Sequence, residues 1–440
     1  MLVATTMDSD LLPHLSPLSP GGPPAAAPPP AAGPPGAAPL PFRAFPVLSA
    51  LWLTVFAASS QVIIVSPILP EIARALSVPE AHLGWVVTSY AACLAVFALL
   101  AGPVSDRIGR RRILLAGTVA LAVALGLHAF ATTFPALLAV RAVAGAAGGL
   151  LSGAAVAYVG DAFPYERRGW ANGWVMSGIA AGQVLGVPVG KGLAMQYGFQ
   201  APFVAFAAVM VVAALLVWRH VPQPSVTRSD AALTPAAVAR GYAALVRQRG
   251  PRAAMLAYLL MFGGLGLFIP YFPTWLETSV GVTGGDIVWL FLVGGLVSVA
   301  AGPVAGRISD RLGRLPMIFA SCLIFAAALV ATTFLVHDLA GAIVLFAVIM
   351  LTVAMRLSPL QSLLSALVPS EQRGMMMSAA ISVGQVGMAI SAGLAGLLYG
   401  AYGFRANTVG GALAILAMAA VVHLSLAEPT PAAAPVVATA

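Results

Sequence analysis

The chain has 440 residues, of which 60% are hydrophobic and only 8% charged, and its mean hydropathy is +0.96. Water-soluble proteins carry about 25% charged residues, so composition excludes an ordinary soluble enzyme or binding module and points to a polytopic membrane protein. The net charge of +8 does not call for a nucleic-acid partner, because the arginines stand between apolar runs, as loop charges that fix membrane orientation do.

Residues 1–44 are rich in Pro, Ala and Gly and cannot bury enough apolar surface to offset their ordering entropy, so a disordered, locally extended arm is expected. No basic segment leads into a short apolar core there, and the first apolar run is expected to stay as a helix. Twelve apolar runs follow, at 45–69, 84–105, 113–133, 136–160, 170–194, 201–218, 254–276, 286–306, 316–335, 339–364, 374–398 and 404–426. Each is about the 20 residues a helix needs to cross a hydrocarbon core. The expected organisation is a six-helix bundle at 45–218, a basic cytoplasmic linker at 219–253, a second six-helix bundle at 254–426 and a disordered tail at 427–440. Alternating the runs from a cytoplasmic N-terminus gathers the arginines of the 107–112, 167–168, 219–252 and 307–314 segments inside and leaves Arg74 and Arg405 outside, so both termini are expected in the cytoplasm. Cys93 and Cys322 lie in separate runs without a partner at disulfide or ligand spacing, and no metal or cofactor is expected.

Between the second and third runs stands Gly102-Pro103-Val104-Ser105-Asp106-Arg107-Ile108-Gly109-Arg110, and between the eighth and ninth Gly306-Arg307-Ile308-Ser309-Asp310-Arg311-Leu312-Gly313-Arg314. Aligned on the aspartates, both read Gly, three residues, Asp-Arg, one residue, Gly-Arg. Loop topology accounts for the arginines but not for the fixed Gly and Asp. Two more pairs keep the same register: Pro164-Tyr165-Glu166-Arg167-Arg168-Gly169 with Pro369-Ser370-Glu371-Gln372-Arg373-Gly374, and Tyr197-Gly198-Phe199 with Tyr402-Gly403-Phe404. A duplicated six-helix unit is the simplest reading.

These loops resemble the signature of the major facilitator superfamily of secondary transporters, and the resemblance covers residues 45 to 426. It implies an all-α membrane protein of twelve transmembrane helices in two six-helix bundles. It further implies that Asp106 faces the start of the eleventh helix and Asp310 the start of the fifth, where a helix N-terminus stabilises a carboxylate. Gly102, Asp106, Arg107, Gly109, Arg110, Asp161, Asp310, Arg311, Gly313 and Arg314 would then form a cytoplasmic latch that breaks as the halves part, with Arg110 paired to Asp161.

The fourth run carries Arg141 in a stretch similar to the family motif that proton-coupled members use near the proton path; the alternatives are snorkelling to the outer interface or capping carbonyls. In the fifth, Gly178, Gly182, Gly186, Pro188 and Gly190 look like the antiporter signature of the family's exporters, with Val187 and Lys191 departing from its usual form; Lys191, near the outer end, is expected to snorkel. Arg356 in the tenth run falls near mid-membrane beside Pro359, and with Gln361 is expected to line a substrate cavity. Gln61, Tyr90, Gln183, Tyr258 and Gln385 are further candidates for its wall. Asp161, Glu277 and Asp286 sit at run ends rather than within a span, which leaves no evident proton carrier; His128, near the outer end of the third run, is of a residue type that titrates in the right range, with an interfacial role as the alternative.

The expected function is secondary transport of a small organic solute by alternating access, as proton-coupled efflux, in a monomeric protein of a bacterial inner membrane whose other partner is lipid. Uptake or exchange of an organic anion is the alternative that the intramembrane arginines suit. A non-transporting sensor of the same fold is a third, and no nucleophile-and-base arrangement suggests an enzyme.

Overall fold

In hydrocarbon a lone segment of this length satisfies its backbone only as a helix. The computed structural model describes residues 43–163, 165–223, 235–369 and 372–426, apart from a few side chains that include those of Asp106 and Asp310. The expected N-terminal arm, up to residue 42, and the tail lie outside the described residues. Among the described residues twelve helices are long and apolar enough to cross a membrane. They are α1 (Ala44–Ile63), α2 (Glu80–Ser105), α3 (Arg110–Phe130), α4 (Phe134–Ala162), α5 (Arg167–Tyr197), α6 (Ala201–His220), α7 (Arg249–Val280), α8 (Gly284–Ser309), α9 (Arg314–Leu335), α10 (Leu339–Leu364), α11 (Arg373–Tyr402) and α12 (Phe404–Ser425). A shorter helix, Pro235–Arg247, lies in the linker, and no strand occurs among the described residues.

The turn glycines of the repeat have a backbone reason to be glycine. Gly109 and Gly313 close their loops at φ of 107° and 93°, and Gly198 and Gly403 link α5 to α6 and α11 to α12 at 90° and 72°. A Cβ strains the chain at positive φ, so both pairs mark the same two turns in each half.

Two helices run further than their apolar runs. The first resumes beyond Ile64 as Val65–Leu76, with Pro67 in its first turn, where a missing N–H costs little, and Pro70 inside it. This extension carries Glu71 and Arg74 outward on rigid backbone. The seventh ends in a π-helical turn, Leu276–Val280, stopped by Gly281 at φ 77°.

Small residues set how closely the helices pack. Within the first half a Cβ at Gly149 of α4 would lie 2.8 Å from the Leu94 carbonyl of α2. Within the second, one at Gly384 of α11 would meet the Phe262 ring at 2.8 Å. Between the halves, α2 runs against α11: Thr88 donates to the Ala389 carbonyl at 2.6 Å and Ser382 to the Ala95 carbonyl at 2.7 Å. On the face away from the linker this seam is closed by Tyr271 of α7, whose hydroxyl donates to the Glu80 carbonyl and accepts from the Gly84 N–H, each at 2.8 Å. On the linker face Tyr242 of the linker helix donates to the Leu99 carbonyl of α2 at 3.0 Å, while a Cβ at neighbouring Gly241 would meet Met375 of α11 at 2.9 Å. Burial pushes the Tyr242 phenol up, so it remains a donor at neutral pH. The linker helix thus touches both halves.

Candidate functional site

The first-half arginine does not snorkel. Arg141 of α4 is 1% exposed. Its Nη1 donates to Gln61 Oε1 of α1 at 2.9 Å, and the guanidinium lies 4.3 Å from the Tyr90 ring centroid of α2. Gln61 Nε2 in turn donates to the Tyr90 hydroxyl at 3.0 Å. An amide dipole and an aromatic face therefore hold the cation, and three helices are tied at one point. His128, near the outer end of α3, is buried rather than interfacial: its ring stacks on Phe203 of α6 at 4.1 Å and its Nδ1 bonds the Ala124 carbonyl at 2.9 Å. An aromatic partner and a local carbonyl hold it inside the bundle, while its Nε2 has no hydrogen-bond partner among the described residues.

In the second half Arg356 of α10 is 0% exposed and lies 4.0 Å over the Phe325 ring of α9. None of its three guanidinium nitrogens has a hydrogen-bond partner among the described residues. The charge is sealed between α10 and α9. Gln361 of α10 is exposed and lies beside buried Tyr258 of α7. Gln183 and Gln385 are half-buried, and a Cβ at Gly295 of α8 would sit 3.3 Å from Gln183, so the α5 and α8 backbones meet there.

In the α2–α3 loop Arg110 Nε bonds Asp161 Oδ2 of α4 at 2.6 Å, and Arg110 Nη1 reaches Ser105 Oγ at 3.2 Å. Arg111 donates to the Trp218 carbonyl of α6 at 2.7 Å. The loop therefore fastens α2, α3, α4 and α6 on the linker face. Arg107 and Arg311 are exposed, and Arg314 is half-buried at the start of α9. A Cβ at Gly102 would sit at an ordinary 3.6 Å from Ser378 Oγ of α11, so the packing there does not require glycine. The expected contacts of the Asp106 and Asp310 side chains lie outside the described residues.

The glycines of α5 face α1. A Cβ at Gly178 would come 2.8 Å from the Trp52 carbonyl, at Gly182 2.6 Å from Ser59 Oγ, at Gly186 2.7 Å from Ser60 Cβ and at Gly190 2.6 Å from Ile64. The four-residue spacing lays them along one stripe. Within it, Gly182–Gly186 forms a π-helical turn just before Pro188. Proline removes one ladder hydrogen bond and crowds the preceding turn, which accounts for the widened turn at this point.

Beyond the stripe the structure corrects the expectation for Lys191. Its side chain is 0% exposed, and its Nζ lies 2.7 Å from Glu71 Oε1, 3.1 Å from Glu277 Oε1 and 2.6 Å from the Pro67 carbonyl. Arg74 lies 3.3 Å from Glu71 and 3.4 Å from Glu277. Two carboxylates offset two cations, so the ammonium has no need of the membrane surface. Glu71, Arg74 and Lys191 belong to the first half and Glu277 to the second. An open cavity of about 590 Å³, lined among others by Glu71, Arg74, Met195, Phe199 and Glu277, adjoins the cluster. Sequence reading missed Glu71 altogether; a carboxylate four residues past Pro67, in a stretch otherwise apolar, was the available signal.

Two helical bundles, each holding a buried arginine, meet along glycine-lined seams. The profile of the Major Facilitator Superfamily matches the chain twice, at residues 51–253 and 254–439, and the chain belongs to that family. The MFS-type transporter YceJ of Bacillus subtilis is 27% identical over 283 residues, 64% of this chain and 72% of that protein. A chloramphenicol resistance protein of Streptomyces lividans is 30% identical over 267 residues, covering 60% and 67%. The multidrug resistance protein MdtG of Proteus mirabilis is 24% identical over 280 residues, covering 60% and 67%. A D-xylose–proton symporter structure superposes with a TM-score of 0.73 at 17% identity, over 87% of this chain and 98% of that one. The human organic anion transporter MFSD10 gives 0.69 at 18% identity, over 86% and 99%. At such identities the two structures show the shared fold alone.

Proposed function

We propose that this protein exports a small organic solute in exchange for protons, by alternating access between bundles at 45–218 and 254–426. The carrying observation is the α5 stripe: four glycines pressed on α1, with a π turn ahead of Pro188, give a thin and deformable interface helix. The chloramphenicol and multidrug resistance relatives support export. In this reading the linker face is cytoplasmic, in a bacterial inner membrane. Gly102, Asp106 and Asp310 with the Arg110–Asp161 pair gate that face, and the polar side chains around Tyr258 and Gln361 bound the solute's route. A second reading, exchange of an organic anion, is favoured by one observation: Arg356 is a buried cation with no hydrogen-bond partner among the described residues. A solute screen in proteoliposomes, with and without an imposed pH gradient, tests both. Export is expected to collapse when the gradient is dissipated; movement of anions only, indifferent to the gradient, would replace it with exchange, and no movement of any solute would refute both.

A further inference from the structure

We propose that the linker helix, Pro235–Arg247, is a docking surface for anionic phospholipid headgroups, taken between Arg240 and Arg247 where the helix lies across the α2–α11 seam at the edge of the bilayer. This docking requires only the membrane-spanning fold, and it is measured without any transported solute.

The helix sits at headgroup depth. Tyr242 donates to the Leu99 carbonyl at 3.0 Å. The backbone helix that carries α2 runs on to Ile108, so that carbonyl lies about 13 Å inside the helix end. Gly241 lies against Met375, in the first turn of α11. The linker helix is therefore level with the terminal turns of two spanning helices rather than free in the water beyond them. Val96 and Leu100, on the α2 turns around Leu99, are exposed apolar side chains, as a flank turned to acyl chains requires.

The outer side of the helix carries charge without counter-charge. Residues 235–252 include Arg240, Arg247, Arg249 and Arg252 and neither Asp nor Glu. All four arginines are exposed, and among the described residues none of them forms an ion pair. Arg240 Nε donates to the Ala236 carbonyl of its own turn at 3.3 Å, which leaves its two terminal nitrogens for an outside acceptor. Arg240 and Arg247 are two turns apart, about 10 Å along the axis, on the side opposite buried Leu245. Between them stand exposed Ala243 and Ala244, whose methyl groups leave the space between the guanidinium groups open.

A guanidinium fork matches two oxygens of a phosphate. Val246, exposed beside Arg247, adds an apolar contact that an acyl chain uses and a phosphate ion in water does not. A helix with a basic side and apolar neighbours, held in the interface plane, gains both from headgroup charge and from the acyl boundary.

The test places a bimane fluorophore at Ala239→Cys, an exposed position beside Arg240, in a Cys93→Ser/Cys322→Ala background. The protein is reconstituted in phosphatidylcholine nanodiscs containing a trace of nitroxide-labelled phosphatidylglycerol or, in a parallel sample, nitroxide-labelled phosphatidylcholine with the same acyl chains. Quenching by the anionic lipid is expected to exceed that by the zwitterionic one by about fivefold or more, since each arginine near a charged surface is worth about fivefold. The excess is expected to vanish in Arg240→Gln/Arg247→Gln, and in about 1 M sodium chloride, where the Debye length is about 3 Å. Bimane at His82→Cys, exposed on the opposite face, is expected to show none. Equal quenching by the two lipids at Ala239→Cys, or an excess that survives the double substitution or high salt, would overturn the proposal. So would an excess that inorganic phosphate removes more effectively than sodium chloride of equal ionic strength, because the site would then be one for soluble phosphate. The salt series on the arginine-bearing protein decides the matter should the double variant fail to fold.

Discussion

At the scale of single residues, the two turn glycines and the loop ion pair separate what short patterns encode from what tertiary pairing decides. Gly109 and Gly313 were legible as fixed points of a repeat, and their φ of 107° and 93° supplies the cause. Gly313→Ala, at φ 93° and ψ 148°, a region adopted essentially by glycine alone, is expected to cost about 1–3 kcal/mol, read as a lowered melting temperature of the purified protein. Gly302→Ala, where a Cβ meets open space within a helix, should leave that temperature unchanged or raise it slightly. The Arg110–Asp161 pair was implied by resemblance, and its members lie 2.6 Å apart at about a quarter exposure. A double-mutant cycle with Arg110→Ala and Asp161→Ala should therefore return a coupling of no more than about 1 kcal/mol, shrinking as salt is raised. A larger, salt-insensitive coupling would mean that the loop is drier than its exposure implies. Lys191 was misread for a physical reason: depth along a helix suggests snorkelling, but Glu277 lies 86 residues away, a separation no local pattern spans.

At the scale of elements, periodicity located the spans and even the glycine stripe of α5, but not the partner that the stripe faces. That partner is α1, where Ser59 and Ser60 sit under Gly182 and Gly186. Prolines made the first span look shorter than it is, because Pro67 and Pro70 are accommodated in a helix restarted at Val65, so Glu71 was hidden in an apparent loop. The α5–α1 contact yields a rescue experiment. A methyl group at Gly186 would press on the Ser60 side chain, and overpacking of this kind costs about 1–3 kcal/mol. Gly186→Ala is expected to lower both thermal stability and transport rate, and adding Ser60→Gly should restore much of both by removing the obstructing atoms. If the second substitution gives no recovery, the stripe serves something other than contact with α1.

At the scale of the whole molecule, the linker helix and the far-face cluster are the features least visible in the chain, since both depend on how two halves meet rather than on either alone. The meeting surface is the α2–α11 seam, which on the face away from the linker closes so tightly that a Cβ at Gly396 would run into the Ala81 carbonyl and come 2.5 Å from the Tyr271 hydroxyl. The carbonyl belongs to backbone and cannot swing aside. Gly396→Val should therefore act as a wedge that penalises the closed seam while leaving the open one untouched. A differential cost of about 1–3 kcal/mol corresponds to a shift of roughly 5–150-fold in the population ratio. Thr88, whose hydroxyl bonds Ala389 across this seam, is the natural reporter. In a Cys93→Ser/Cys322→Ala background, a cysteine substituted at Thr88 should react with a membrane-impermeant maleimide faster when Gly396→Val is present. The acceleration should appear only when reagent is applied from the face opposite the linker, because the wedge acts on that side. Equal labelling rates with and without the valine, in protein that is folded and monodisperse, would show that the seam does not part along α2 and α11, and the pivot of the transport cycle would have to be sought between α5 and α8.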